Sequence, residues 1–420
     1  MFIHRGRLRV GRAGALEKEQ PRSREGRCVP AFRLGINYWP RRSAMYMWQR
    51  LDLGEIAEDF AQIAELGFRT VRFFLRWDDF QPRPGRTDSR MLHRLIAVMD
   101  ALQDTRLDAM ATLFTGHMSG VNWLPDWTLD PKTPHGRFRT YSLDREMQNG
   151  IGDFYTGELL AAQVLHAREV GSALRGHPAL WVWDLGNEFS NLREPARPQD
   201  AAHWSTMLTQ TLRRASGAAV TAGTHGEDIT RDRHIRPSSI CEPWVFATMH
   251  GYSVYSEFAR DRLDTEAVPF LCQVMQSCAR KPVLFSEFGN PTCPPTTGAP
   301  HPQLSGFECL SEEEMSAYGY AVLDRLQSRG ALGAFWWCYA DYAKTLAALP
   351  PFDRALHELT FGIVREDGTL KPIAETLHSF AKENRTVIAP PRPIVDEAEY
   401  FSGMPQALEQ AYAAYLREYE

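Results

Sequence analysis

The chain has 420 residues, of which 44% are hydrophobic and 24% charged, with a formal net charge of −5. These are ordinary values for a globular protein. They leave no basic footprint for nucleic acid, and no apolar run approaches the length of a membrane span. Seven cysteines, at positions 28, 241, 272, 278, 293, 309 and 338, form no CxxC pair and no zinc-like spacing. A disulfide framework and a structural metal are therefore not expected.

The N-terminal stretch MFIHRGRLRVGRAGALEKEQPRSREGR is Arg-rich and lacks the apolar core of a secretory signal. Residues 1–30 are read as a flexible extension. Together with the scattered cysteines, this points to a reduced, cytoplasmic compartment.

Apolar strand-like runs then alternate with amphipathic helical stretches from about residue 32 to 385. FRLGINY (32–38) is the first strand candidate. In the helix after it, Ile56, Phe60, Ile63 and Leu66 recur at helical spacing and Gly67 supplies a stop. TVRFFLRW (70–77) is strand two, MLHRLIAVMDAL a helix and LDAMATLFT (107–115) strand three. A long loop over 116–145 leads to a helix ending near Leu174. ALWVWDLGN is strand four, in which Trp181 and Trp183 are expected to pack the wall of the sheet. WSTMLTQTLRRA follows as helix, then strands at AVTAGTH (219–225), VFATMHGY (245–252), KPVLFSEFG (281–289) and ALGAFWWCYA (331–340). Before the eighth strand, SEEEM (311–315) is a helix N-terminus with Ser311 as cap. TLHSFAKEN closes the series.

Eight strands of continuous apolar character, each followed by a helix, indicate a parallel sheet covered all round. Their number favours a closed (β/α)₈ TIM barrel over residues 31–386. A doubly wound open sheet is the runner-up, but no Gly-rich phosphate fingerprint follows any strand. VIAPPRPIVDEAEY breaks the pattern with three prolines, so residues 387–420 are read as a linker and a helix docked on the barrel.

In such a barrel the active site lies at the C-terminal strand ends. Those ends carry Arg72 and Arg76, His117, Asn187 and Glu188, His225, His250 and Tyr252, Glu287, and Trp336, Trp337 and Tyr339. WVWDLGNE is a buried strand that stops at an Asn-Glu pair, and a carboxylate there is costly unless chemistry uses it. Glu188 on strand four and Glu287 on strand seven would face each other across the mouth. Glycoside hydrolysis needs such a pair, one to protonate the leaving oxygen and one to attack or to activate water. Asn, His, Tyr and Trp supply partners for sugar hydroxyls and an apolar wall.

WDLGNE and VLFSEFG, at the ends of strands four and seven, resemble the acid/base and nucleophile motifs of clan A glycoside hydrolases. The closest likeness is to family 5, the cellulase and mannanase group. TVRFFLRW, MHGY and the strand-eight Trp agree with it, and the similarity spans roughly residues 34–385. The resemblance implies Glu188 as general acid/base and Glu287 as nucleophile of a retaining β-glycosidase. It further implies Asn187 on the sugar 2-hydroxyl, Arg72 and Tyr252 holding Glu287, and His250 and Trp337 lining the same subsite.

Only one of the adjacent Trp336 and Trp337 can point inward, by the period of two, and Trp337 is the choice. His117, Asn122, Trp123 and Trp127 are candidates for substrate contacts in the loop after strand three, against a reading in which that loop packs its own side chains.

The expected substrate is a β-linked oligosaccharide or glycoside, β-mannoside or β-glucoside from the resemblance, with no metal or organic cofactor and with neither nucleic acid nor membrane as partner. The oligomeric state is left open. Two other classes stay in play: a sugar-binding barrel without catalysis, and a metal-dependent barrel hydrolase using histidines 117, 225 and 250. Against the latter, no strand carries the His-x-His pair of such sites.

Overall fold

The computed structural model describes residues 30–293, 303–304 and 306–419. The expected N-terminal extension lies, but for its last residue, outside them. Eight parallel strands form the centre: β1 (Arg33–Tyr38), β2 (Thr70–Arg76), β3 (Asp108–Thr115), β4 (Leu180–Asn187), β5 (Ala219–Gly223), β6 (Ala247–His250), β7 (Val283–Phe288) and β8 (Gly333–Trp336). Their order is β5-β4-β3-β2-β1-β8-β7-β6, so β1 and β8 are neighbours. β5 and β6 close the circle, with Val245 N–H donating to Val220 O (3.0 Å) and His250 N–H to Thr224 O (3.0 Å). This is the (β/α)₈ barrel expected from the eight apolar runs.

The inside of the barrel is filled, as it must be to avoid a void. Met110, Val182, Phe246, Leu284 and Phe335 form one buried layer near the N-terminal ends of the strands. Gly35 on β1 makes room for it, since a Cβ there would lie 2.3 Å from the Phe335 ring. Trp181 stacks on Phe246 at this end, while Trp183 points outward and donates to Ser216 Oγ (3.0 Å). Outside, among the described residues, seven long helices cover the strands, and their buried faces follow the periodicity of the sequence. In α1 (Leu53–Glu65), for example, Ile56, Phe60 and Ile63 are fully buried. The helix Glu312–Ser328 starts with the capping box that SEEEM predicts, Ser311 accepting from Glu314 N–H (3.1 Å).

Two features depart from expectation. Residues 116–151 are not one long loop but six short strands in two small sheets that fold over the mouth. Strands of two to six residues carry too little alternation to stand out from a loop. The second departure is a disulfide between Cys293 and Cys309. Sixteen residues apart, they carry no motif. A parallel bridge between Thr292 and Leu310 brings them together, with Cys293 N–H donating to Leu310 O (3.1 Å).

After residue 386 the chain runs to two helices, Glu397–Ser402 and Gln406–Tyr419. The second docks on the barrel through its tyrosines. Tyr412 donates to Asp264 (2.5 Å) and Tyr415 to Glu266 (2.9 Å), while Gln273 donates to the Tyr419 hydroxyl (2.8 Å).

The packed layer gives a direct test. Gly35→Ala forces the Phe335 ring out of its place and should destabilise the fold by about 1–3 kcal/mol, the usual range for overpacking a core. The check is the midpoint of chemical denaturation; an unchanged midpoint would mean that this layer yields freely.

Candidate active site

Arg72, in the middle of β2, has no exposed surface, and all five of its N–H donors are engaged. Nε and one terminal nitrogen donate to Asp184 Oδ2 (2.9 and 2.7 Å). The same terminal nitrogen donates to Asn187 Oδ1 (2.8 Å). The other reaches Asn37 Oδ1 (3.0 Å) and Glu287 Oε1. The period of two along β4 places Asp184 inward for this contact, and Thr112 also donates to it (2.8 Å). Asn37 extends the network to β7 and β8 by donating to Ser286 O (2.9 Å) and Trp336 O (3.1 Å).

Glu287 ends β7 on this platform, and the Tyr252 hydroxyl donates to its second oxygen (2.8 Å). Glu188 comes from β4 one residue past Asn187. Its backbone is left-handed, with φ of 46°, and this turns the side chain back toward the barrel axis. His250 Nδ1 lies 3.1 Å from Glu188 Oε1 and 3.4 Å from Glu287 Oε1. At least one oxygen of each glutamate lies within 4.8 Å of one of the other. Asn191 donates to Glu188 Oε2 (3.0 Å), and His117 and His225 each place Nε2 at 3.7 Å from it.

Counting charge decides how this cluster ionises. Three carboxylates, Asp184, Glu287 and Glu188, share one buried cation. Glu188 has no cationic partner of its own, since burial pushes His117 down to about 4 and His225 to about 3, and it carries His250 well below its usual range. Burial, followed by the charge of Glu287, pushes the Glu188 carboxyl well above the usual range. Glu287 is raised too, by burial, although Arg72 and Tyr252 oppose this. Burial outweighs both, and Asp184, which shares Arg72, adds to the rise. The lasting difference between the two glutamates is that one has a cationic partner for its negative form and the other has only neutral ones.

A cavity of about 650 Å³ opens on this pair. Asn187, Tyr252, Trp337 and His117 line it, together with His225. Of the two adjacent tryptophans, Trp337 faces the cavity and Trp336 packs into the core against Phe288 and Gly319. Asn187 also donates to His117 O (3.0 Å), and Asn122 Oδ1 accepts from His117 Nδ1 (2.7 Å). Trp123 does not line the cavity. It is fully buried between Tyr46, Tyr141 and the Arg76 guanidinium, because the small sheet over residues 117–147 folds it inward. Arg76 turns away as well, to Asp78 (2.8 and 2.7 Å). Trp127 packs on Trp77 and donates to Gln81 O (3.0 Å).

Sequence reasoning missed Asp184, Asn37, Asn191, Tyr255 and Glu358. Asp184 had a signal, a charged residue inside an apolar strand, as Arg72 is in its own. Glu358 had none, since it lies in a loop far beyond β8. Glu188, His250 and Glu287 are near enough to share a cation. Arg72 already donates to Glu287 Oε1, the oxygen that lies 3.4 Å from His250 Nδ1, and its positive charge there makes a metal unfavourable.

No family model and no curated protein matches the chain, but solved structures do. One is the exo-β-1,4-mannosidase Op5Man5 from Opitutaceae bacterium strain TAV5, 28% identical with a TM-score of 0.69 over 87% of this chain. In fold the chain is similar to family 5 glycoside hydrolases of clan A. The match covers 61% of that mannosidase, so this chain spans about three fifths of its length. A GH5_18 protein from Streptomyces cattleya, in complex with Manb1-4GlcNAc, is 20% identical with a TM-score of 0.73, covering 92% of this chain and 91% of that one. GH5_18 from Bifidobacterium longum subsp. longum ATCC 55813 is 20% identical with a TM-score of 0.70, covering 86% and 81%.

The hydroxyl on Glu287 can be removed with little change of shape. In Tyr252→Phe, carbon NMR of the labelled Glu287 carboxyl should show its titration moved to higher pH, since a donor to the ionised form is gone. A titration that stays in place would show that Tyr252 does not stabilise the charge.

Proposed function

We propose that the protein is a retaining β-glycosidase acting by double displacement on β-linked oligosaccharides, β-mannosides first and β-glucosides second. The observation that carries this reading is the short separation of two unequal carboxyls, with oxygens within 4.8 Å. Retaining enzymes hold the pair about 5–5.5 Å apart, whereas inverting ones need about 6.5–9.5 Å to admit a water. The preference for β-mannosides rests on the solved relatives, one titled an exo-β-1,4-mannosidase and another bound to Manb1-4GlcNAc.

In this mechanism Glu287, ionised between Arg72 and Tyr252, attacks the anomeric carbon. Glu188, protonated for want of a cation, gives its proton to the departing oxygen. The bond formed is an ester between sugar and Glu287, which removes one negative charge from the cluster. Glu188, left as a carboxylate by that transfer, is more stable in this form with one charge fewer beside it, and takes the proton of the water that cleaves the ester, restoring both groups. Asn187, anchored by Arg72 and by His117 O, is placed for the hydroxyl next to the anomeric carbon, and Trp337 forms an apolar wall.

No described helix is long and apolar enough to cross a membrane. The Cys293–Cys309 disulfide weighs against the reduced, cytoplasmic compartment expected from the cysteine pattern, because such bonds persist mainly in oxidising surroundings.

The test uses aryl β-mannoside and β-glucoside. Proton NMR of the fresh product should show the β anomer first; the α anomer first would exclude double displacement. Glu287→Ala should abolish turnover. Glu188→Ala should keep its first step on substrates with good leaving groups, and added azide should yield a β-glycosyl azide. Equal loss in both variants without rescue would assign the pair a structural role.

A further inference from the structure

Glu358 is one of five glutamates that line the cavity, and the displacement makes no use of it. It sits in the turn Leu356–Thr360 after β8, and its side chain is 10% exposed. Donors from three separate loops converge on it. Ser119, after β3, donates to Oε2 (2.9 Å), and Tyr255, after β6, donates to Oε1 (3.0 Å). Burial raises the Glu358 carboxyl above its usual range, and the Trp337 side chain is a third donor that, with Ser119 and Tyr255, opposes this. A carboxylate has about four acceptor positions. Three are taken from the protein side, and one is left beside the cavity.

The surroundings restrict what can fill that position. Among the described residues no arginine or lysine pairs with Glu358. His357 Nε2 stands 3.6 Å away, but burial pushes that imidazole down to about 4, so it is neutral. The two arginines of the cavity, Arg137 and Arg231, are paired with Glu227 (2.6 and 2.9 Å). A buried carboxylate held by neutral donors alone is costly to keep. An anionic ligand group would be repelled, and a neutral hydroxyl would complete the set. The position also fits the displacement. Tyr252, which holds Glu287, has its ring centroid 5.4 Å from that of Tyr255, which holds Glu358.

We propose that Glu358 is a substrate-binding, specificity-determining residue that accepts a hydrogen bond from one hydroxyl of the sugar seated between Trp337 and Glu287. This rests on the glycoside reading above and adds to it a named partner for the ring. By tying the loops after β3, β6 and β8 to one another, the same carboxylate makes the position of that hydroxyl a property of the whole rim.

The experiment measures binding by tryptophan fluorescence, with methyl β-mannoside and each of its monodeoxy analogues as probes. For the wild-type protein, one analogue should bind about tenfold more weakly or worse, as expected for loss of a hydrogen bond to a charged group. In Glu358→Gln, which keeps the shape and removes the charge, that penalty should shrink below about threefold. In Ser119→Ala, which removes a protein donor and keeps the carboxylate, it should persist. If Glu358→Gln does not fold, carbon NMR of the labelled Glu358 carboxyl in the wild-type protein replaces it. The signal should shift with methyl β-mannoside and not with the penalised analogue. Equal penalties in wild type and Glu358→Gln, a silent carboxyl signal or no binding of any probe would overturn the proposal. Aryl glycoside turnover is measured separately; its absence alongside the expected binding pattern would remove the catalytic reading and leave this one standing.

Discussion

Everything in this site hangs on burying one guanidinium. Arg72 lies in the centre of a barrel whose other contents are mostly apolar, and a charge taken out of water must be met on every side. Its five donors dictate where Asp184, Glu287, Asn37 and Asn187 must lie. Those four acceptors come from β1, β4 and β7, so the requirement fixes the mutual register of the strands that carry the two glutamates. The planar fork of arginine suits this task, because each N–H has a set direction. A lysine could supply the charge but not the directions.

The network also explains why two chemically identical side chains differ. Glu287 shares a cation and receives a phenol hydrogen bond, whereas Glu188 meets three imidazoles that burial keeps neutral. The asymmetry does not come from exposure, since both carboxyls are buried. It comes from a shortage of positive charge, with three acids on one arginine.

How much of this could be read from the chain depended on the length over which each signal repeats. The eight strands were legible because apolar runs of four to eight residues sit in regular alternation with helices. Glu188, Glu287, Arg72 and Tyr252 were legible because they stand at the ends or centres of those runs, where a polar residue has no packing reason to be. The mouth was not legible. Trp123 and Trp127 looked like ligand contacts, yet each fills the space beneath small sheets whose strands are too short to betray themselves. Glu358, Tyr255 and Ser119 meet only through the fold, being 103 and 239 residues apart along the chain from their common partner. No local pattern records such a meeting, and the same holds for Cys293 and Cys309.

The left-handed backbone of Glu188 has a consequence for timing. A non-glycine residue in that conformation is held there only if its neighbours over-determine it. Here the Glu188 N–H donates to Gly223 O (3.0 Å), and its carbonyl accepts from Asn191 N–H (2.8 Å). The peptide is thus pinned on both sides before any ligand arrives. Closure of an outer loop has nothing to assemble at this residue. Under the function proposed above, the energy of docking distant sugar units need not be spent on aiming Glu188, a short substrate and a long one would meet the same ready group, and chain length would be felt in residence rather than in the bond-breaking step.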